Sequence, residues 1–235
     1  MPATKTSHRE VSTRSGRVFD QLRRDVLAGH LKPGSKLPFA DLVERYDSSM
    51  GSIREALQRL AEQGLVESSA KQGFRVVSVS LDDLQDLTVA RCELEPLALR
   101  YAINNGSVEW EGDVVAAHHM LERAPNYDAE DPALQSDEWA AAHDRFHLAL
   151  LDGCNNRRIL ATASSLRDSA ELYRRWSAPL YDRSRDVRGE HLAILEATLR
   201  RDADEACRLL TAHIQRTTDA LLPALRELEL GSAEA

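Results

Sequence analysis

Cysteine is scarce in this sequence. Cys92, Cys154 and Cys207 are far apart, odd in number and form no CxxC pair. That argues against a disulfide framework and against a thiolate zinc site, and it suits a reducing cytoplasm. Long apolar runs are also missing. Nothing approaches the roughly 20 residues of a membrane span, and the polar stretch from Met1 to Ser15 lacks the apolar segment of a signal peptide. Glycine (11) and proline (8) are too few among 235 residues for a disordered chain, and the 43% hydrophobic content can build a core. The length allows one to two domains. There is no nucleophile elbow, phosphate-binding loop or dinucleotide fingerprint, which excludes the enzyme classes those motifs mark.

Lysine is absent from most of the chain: Lys5, Lys32, Lys36 and Lys71 all lie in the first third. Residues 1–80 carry 13 basic and 9 acidic side chains, and the remainder carries 17 and 29, within a net charge of −8. A basic head on an acidic body suggests that the head alone meets a polyanion, since phosphate neutralisation needs local positive charge.

The order of elements in the head supports this. Val18, Phe19, Leu22, Val26 and Leu27 have helical spacing, and Gly29 stops them. Pro33-Gly34 marks a turn, a short helix runs from about Ala40 to Tyr46, and Asp47-Ser48-Ser49 offers caps for a helix over Ser52 to Gln63. Leu65-Val66-Glu67 and Phe74-Arg75-Val76-Val77 flank a polar turn and read as a hairpin. Helix, helix, turn, helix, hairpin is the order of a winged helix-turn-helix. A recognition helix enters the major groove by its N-terminal end, where short polar groups reach bases or phosphates. The candidate DNA contacts are therefore Arg45, Ser48, Ser49, Ser52 and Arg54, with Lys71, Gln72 and Gly73 at the wing tip.

After Val79 the pattern is helical throughout, with no strand signal. Stripes run from Leu81 to Tyr101, Val108 to Arg123, Asp131-Pro132 to about Leu151, Arg157 to Trp176, Arg185 to Arg201 and Ala203 to Leu228, the last opened by an Asp202/Glu205 capping pair. The expected fold is mainly α: a winged head over 1–80, then an all-α bundle of six to seven helices over 81–235.

Four histidines lie on inward stripes of that bundle. His143 and His147 are four apart and share a face; His191 lies with Ile194 and Leu195; His213 lies with Leu210 and Ile214. An i,i+4 pair plus two more imidazoles can complete a metal shell, and an all-nitrogen set favours Zn²⁺, with Ni²⁺ or Cu²⁺ next, over Mg²⁺. His118 and His119 are read as surface or partly buried residues.

Two resemblances follow from these residues. Leu31-Lys32-Pro33-Gly34-Ser35-Lys36-Leu37, Ser49-Met50-Gly51-Ser52-Ile53-Arg54-Glu55-Ala56-Leu57 and Leu60-Ala61-Glu62-Gln63-Gly64-Leu65-Val66 resemble the DNA-binding domain of GntR-type transcription factors. Met50 stands where that family often has a contacting arginine, and Gly51-Ser52 replaces the usual Thr-Pro, which implies an operator of its own. Arg91-Cys92-Glu93-Leu94-Glu95, His143-Asp144-Arg145-Phe146-His147, Asn155-Asn156, Glu190-His191 and the run from Asp202 to His213 are similar to the FCD ligand-binding domain of the FadR subfamily. That resemblance implies a divalent metal held by three histidines and an Asp or Asn four residues before the "FH" histidine. Here the fourth position is His143, and Asp144, one residue off the register, is a possible substitute ligand. It also implies a small carboxylate effector, with Arg91 and Glu95 facing the cavity and Arg174 and Arg175 as further candidates; for at least one of that pair a solvated helix face is the simpler reading.

The expectation is a cytoplasmic, homodimeric, metal-containing repressor that leaves operator DNA when a small organic acid, guessed to be a dicarboxylate, binds. The short Val77–Leu81 connection, free of Pro and Gly, would transmit the change. The alternatives are a zinc-dependent hydrolase with Asp144 or Glu95 as general base, and a metal sensor in which the ion is the signal.

Overall fold

A computed structural model describes residues 14–69, 73–129, 135–177 and 185–233. Apart from Leu27–Gly29, the chain divides at Val77/Ser78 into two compact units.

In the first unit α1 (Arg14–Leu27), α2 (Phe39–Arg45) and α3 (Met50–Glu62) precede a hairpin of β1 (Val66–Ser69) and β2 (Gly73–Val76). Val18, Leu22, Val26, Leu42, Ile53, Leu57 and Leu60 are buried, so the apolar stripes read from the sequence form one core. The strands pair antiparallel with Val66 opposite Val76 and Ser69 opposite Gly73. Lys36 adds a bridge to Arg75, and the Leu37 N–H donates to the Phe74 carbonyl at 2.8 Å, tying the Pro-Gly turn to the wing.

Six helices make up the second unit among the described residues: α4 (Leu81–Asn105), α5 (Val108–Arg123), α6 (Asp137–Asp152), α7 (Arg157–Ser177), α8 (Val187–Leu199) and α9 (Ala203–Ala233). Serines 80, 107 and 136 cap α4, α5 and α6, and Asp202 Oδ1 accepts the Glu205 N–H at 3.1 Å at the start of α9. The α6 start therefore lies at Ser136, later than the Asp131-Pro132 signal suggested; residues 130–134 lie outside the described set. Outside the helices, an isolated bridge joins Tyr127 and Gln135.

Helix α4 packs against α7 and α9, α5 against α6 and α8, and α8 against α9. The main core gathers Leu99, Ile103, Trp110, Val114, Phe146, Leu150, Ile194, Leu210 and Ile214. Trp110 is wedged where only glycine fits: a Cβ on Gly106 would lie 2.2 Å from its ring, and one on Gly153 would lie 2.9 Å away. A smaller core of Leu84, Leu87, Tyr173, Leu221 and Leu225 fills the end of the bundle where α4 begins.

Candidate functional site

The recognition helix begins at Met50 because Ser49 caps it: Ser49 Oγ accepts the Ser52 N–H at 3.2 Å and lies 3.0 Å from Ser52 Oγ. Ser48, half-buried, has an Oγ that is buried without a hydrogen-bond partner among the described residues, so Ser49 rather than Ser48 presents its hydroxyl at the exposed helix start. Gly51, Arg54, Glu55 and Gln58 form the solvent face of α3, and the Arg54 guanidinium lies 4.8 Å over the Phe39 ring. Gln58, one turn after Arg54, is a contact candidate that the sequence reading missed. Arg45 is drawn back into the head, its guanidinium 2.7 Å from Asp25 Oδ2. Gly73, at φ 77°, opens β2 in a conformation that favours glycine, while Lys71 and Gln72 lie outside the described residues.

In the body, α6 supplies His143 and His147, α8 supplies His191 and α9 supplies His213. They are 8%, 1%, 2% and 4% exposed, and each offers a donor atom within 4.8 Å of the other three. His147 Nε2 and His191 Nε2 stand 3.3 Å apart, close to the edge of a tetrahedron whose metal–nitrogen bonds are about 2.0–2.1 Å.

Burial keeps these rings neutral. It holds His143, His147 and His191 well below the ordinary imidazole range, helped most by the positive charges of Arg174 at His143 and Arg167 at His147. His213 is lowered to about 4 by burial, with Glu190 pulling in the opposite direction. A neutral imidazole keeps one lone pair free for a ligand.

Residues 14–76 match the family described as bacterial regulatory proteins, gntR family, and residues 86–216 match the FCD domain. HTH-type transcriptional regulator BphR of Paraburkholderia xenovorans (strain LB400) is 39% identical over 198 residues, 84% of this chain and 81% of that protein. This chain belongs to the GntR family, in its FCD-containing branch. The HTH-type transcriptional repressor GlaR of Escherichia coli (strain K12) is 34% identical over 197 residues, 82% of this chain and 89% of that protein. The solved structure of E. coli McbR/YncC shares the fold, with a TM-score of 0.75 at 21% identity over 90% of this chain and 98% of that one. This GntR protein is thus a DNA-binding transcriptional regulator and not an enzyme, which removes the hydrolase alternative. No helix among its described residues is long and apolar enough to cross a membrane.

Around the histidines the regulator places a set of buried charges. The Glu190 carboxylate accepts from His213 Nδ1–H at 2.8 Å and from Arg185 Nε at 2.9 Å, which turns the His213 Nε2 lone pair away from Glu190. Burial pushes the Glu190 carboxyl up, but the His213 and Arg185 hydrogen bonds outweigh it and hold the group far below the usual carboxylate range. Arg174 donates to His143 Nδ1 at 3.0 Å and lies over the Trp139 ring. Guanidinium groups only donate, so His143 offers its Nδ1 lone pair to Arg174.

Glu95 is fully buried between Arg91 Nε at 2.6 Å and Arg167 NH1 at 3.2 Å, and these two arginines outweigh the cost of burial in keeping it ionised. Arg167 NH2 reaches Asp144 at 3.3 Å, and its buried Nε has no hydrogen-bond partner among the described residues.

Two expectations are corrected here. Asp144 faces Arg167, outside the set of converging donors, because its 100° offset on α6 carries it off the histidine face. Arg175 points to Glu171 and Asp137, and not to the cluster. Arg167 and Glu190 are the site residues that sequence reasoning missed, and His118 is buried where a surface or half-buried residue was expected.

Proposed function

We propose that this regulator is a metal-containing repressor which binds operator DNA as a homodimer and leaves it when a small organic acid binds beside the metal. The observation that carries the reading is the convergence of four buried, neutral imidazoles from α6, α8 and α9. His147, His191 and His213 would hold the ion, with Zn²⁺ the preferred occupant, and His143 would join them on turning from Arg174. The ion would supply open coordination positions for an anionic ligand. His147 Nδ1, which has no partner among the described residues, and the His213–Glu190 pair are consistent with a donor set built for a cation and not for packing alone.

The charge balance favours an anion as the effector. Four neutral ligands leave both charges of a divalent ion uncompensated in a buried site, where such charge is costly. Arg91, Arg167 and Arg174 flank the cluster from α4 and α7, and the unpartnered Nε of Arg167 is a donor for a carboxylate. A dicarboxylate answers both demands at once.

Helix α7 also offers a route to the head. Next to Arg174, the Tyr173 hydroxyl donates to Asp83 Oδ2 at 2.6 Å and accepts the Ser80 N–H at 3.1 Å. Ser80 caps α4 three residues after Val77, where the DNA-binding unit ends. An acid that moves Arg174 would move Tyr173 and the α4 start with it, and so shift operator affinity by linkage. Repression is the sign suggested by E. coli GlaR, a named repressor.

The test is metal content by mass spectrometry on wild type and on a His147→Ala, His191→Ala double variant, followed by thermal-shift screening of organic acids and operator gel shifts. Near-stoichiometric metal in wild type alone, with acid shifts that vanish in the variant, is expected. No metal in either, with unchanged acid shifts, would sink the metal reading and leave a direct arginine–anion site. A site that stays loaded at physiological free metal excludes the ion itself as the signal.

A further inference from the structure

The body holds a concavity that the metal and acid reading uses only at His191. It is a cavity of about 320 Å³, walled by His118 and Leu121 of α5, Ala124 just after it, Trp139 of α6, and Val187 and His191 of α8. The arginines that flank the histidine cluster come from other helices, α4 and α7, and do not line it.

The lining is chemically distinct from that flank. Its two charged side chains, Glu122 and Arg188, are paired with each other at 2.6 Å, so neither is left to recognise an ion. Leu121, Ala124 and Val187 give apolar wall, Trp139 and Tyr127 give aromatic wall, and His118 and Asn126 give polar edges. His118 is held edge-on against Phe146, with ring centroids 5.2 Å apart. The volume lies at the lower end of the roughly 300–1,000 Å³ of small-molecule sites, enough for one or two rings. Two of the walls are also parts of the cluster: Trp139 stacks on His143 at 4.7 Å and 17°, and His191 is one of the four imidazoles.

We propose that this cavity is a second ligand site, for an uncharged one- or two-ring aromatic compound with a polar substituent, and that its occupancy reaches the histidine cluster through Trp139 and His191. The ring lies against Trp139 and the apolar wall, where burial and aromatic contact supply affinity. The substituent hydrogen-bonds to His118 or Asn126. The site needs neither the metal nor an acid at the arginines, so it stands or falls apart from the function proposed above.

The experiment titrates the full chain with indole, benzamide, phenol and benzimidazole, read by tryptophan fluorescence and thermal shift, with succinate as the charged control. At least one of the four is expected to saturate, and succinate is expected not to compete with it. Ala124→Leu fills the cavity and should weaken that binding at least tenfold while leaving metal content at the wild-type level. If Ala124→Leu does not fold by circular dichroism, Asn126→Phe, an exposed position at the rim, serves in its place with the same expected loss. The proposal is overturned if none of the four saturates, or if binding persists at wild-type strength in the folded variant. Strictly competitive displacement by succinate, which weakens the binding without limit as succinate rises, also overturns it, since the cavity would then be part of the acid site, whereas coupling between two sites saturates.

Discussion

Metal-free protein should lose stability steeply as the pH falls from 7.5 to 5. Free imidazoles take up a proton near pH 6.5, so the unfolded chain becomes protonated in this window. The folded cluster does not, because His213 is lowered to about 4 and His143, His147 and His191 lie well below 6.5. A group whose folded pKa is depressed contributes stability that is fully present above its unfolded pKa and lost as the pH falls toward the folded one. Between pH 7.5 and 5, His213 alone accounts for about 2 kcal/mol, and His143, His147 and His191 add losses of the same sign. The His213 share alone is a sizeable part of the roughly 5–15 kcal/mol by which a domain is stable. The carboxylates do not confuse the window: Glu95 and Glu190, both held below 4.5 in the fold, lose their contribution only in more acid solution. His118, also lowered by burial, adds to the loss with the same sign. Ring centroids in the cluster lie 4.5 to 6.3 Å apart, so the rings titrate as a group, and the slope of stability against pH counts their protons. The assay is urea unfolding with chelator present, followed by circular dichroism at pH 7.5, 6.5, 5.5 and 5.0. A loss below about 1 kcal/mol by pH 5.5 would refute the reasoning, because the folded cluster would then be taking up protons as readily as the unfolded chain.

Four further outcomes are expected. Glu190→Gln keeps an acceptor for His213 Nδ1–H but removes its charge, and should weaken metal binding about 10–100-fold in a chelator competition; an unchanged affinity would show that Glu190 does not tune the ligand. Tyr173→Phe removes the hydroxyl held by Ser80 and Asp83, and should leave operator affinity intact while blunting the acid response in gel shifts; a full response would clear Tyr173 of any part in coupling. Arg54→Ala should weaken operator binding by about 1–3 kcal/mol, either for one base position or uniformly with a smaller salt slope, which tells base contact from phosphate contact. Gly106→Ala drives a Cβ to 2.6 Å from the Ala102 carbonyl as well as into the Trp110 ring, and should destabilise the body by about 1–3 kcal/mol in a urea melt, whereas Gly112→Ala, with open space around it, should not.

What the sequence revealed and what it hid have a common physical cause. Signals carried by a few neighbouring residues were legible: the Gly29 stop, the Pro33-Gly34 turn and the histidine stripes, where a period of 3.6 decides which face is inward. The start of α6 was misplaced because Asp131-Pro132 looked like an opening. Ser136 was the stronger signal, since its Oγ accepts the Trp139 N–H at 3.0 Å while Asp137 and Glu138 fill the first turn. His118 was also within reach. Trp110, Val114, Ala117 and Leu121 form the buried stripe of α5, and position 118, four after Val114 and three before Leu121, lies on it, whereas His119 does not. Arg167 was out of reach for a different reason. A charged side chain is buried only where a partner of opposite charge comes to meet it. The partner of Arg167 lies 72 residues away on another helix, a pairing that no local spacing encodes. The same rule explains why the metal-ligand candidates could be read from the chain and the pairing of Arg167 with Glu95 could not. The imidazoles sit on apolar faces that periodicity reveals, whereas the Arg–Glu network exists only once the bundle has closed.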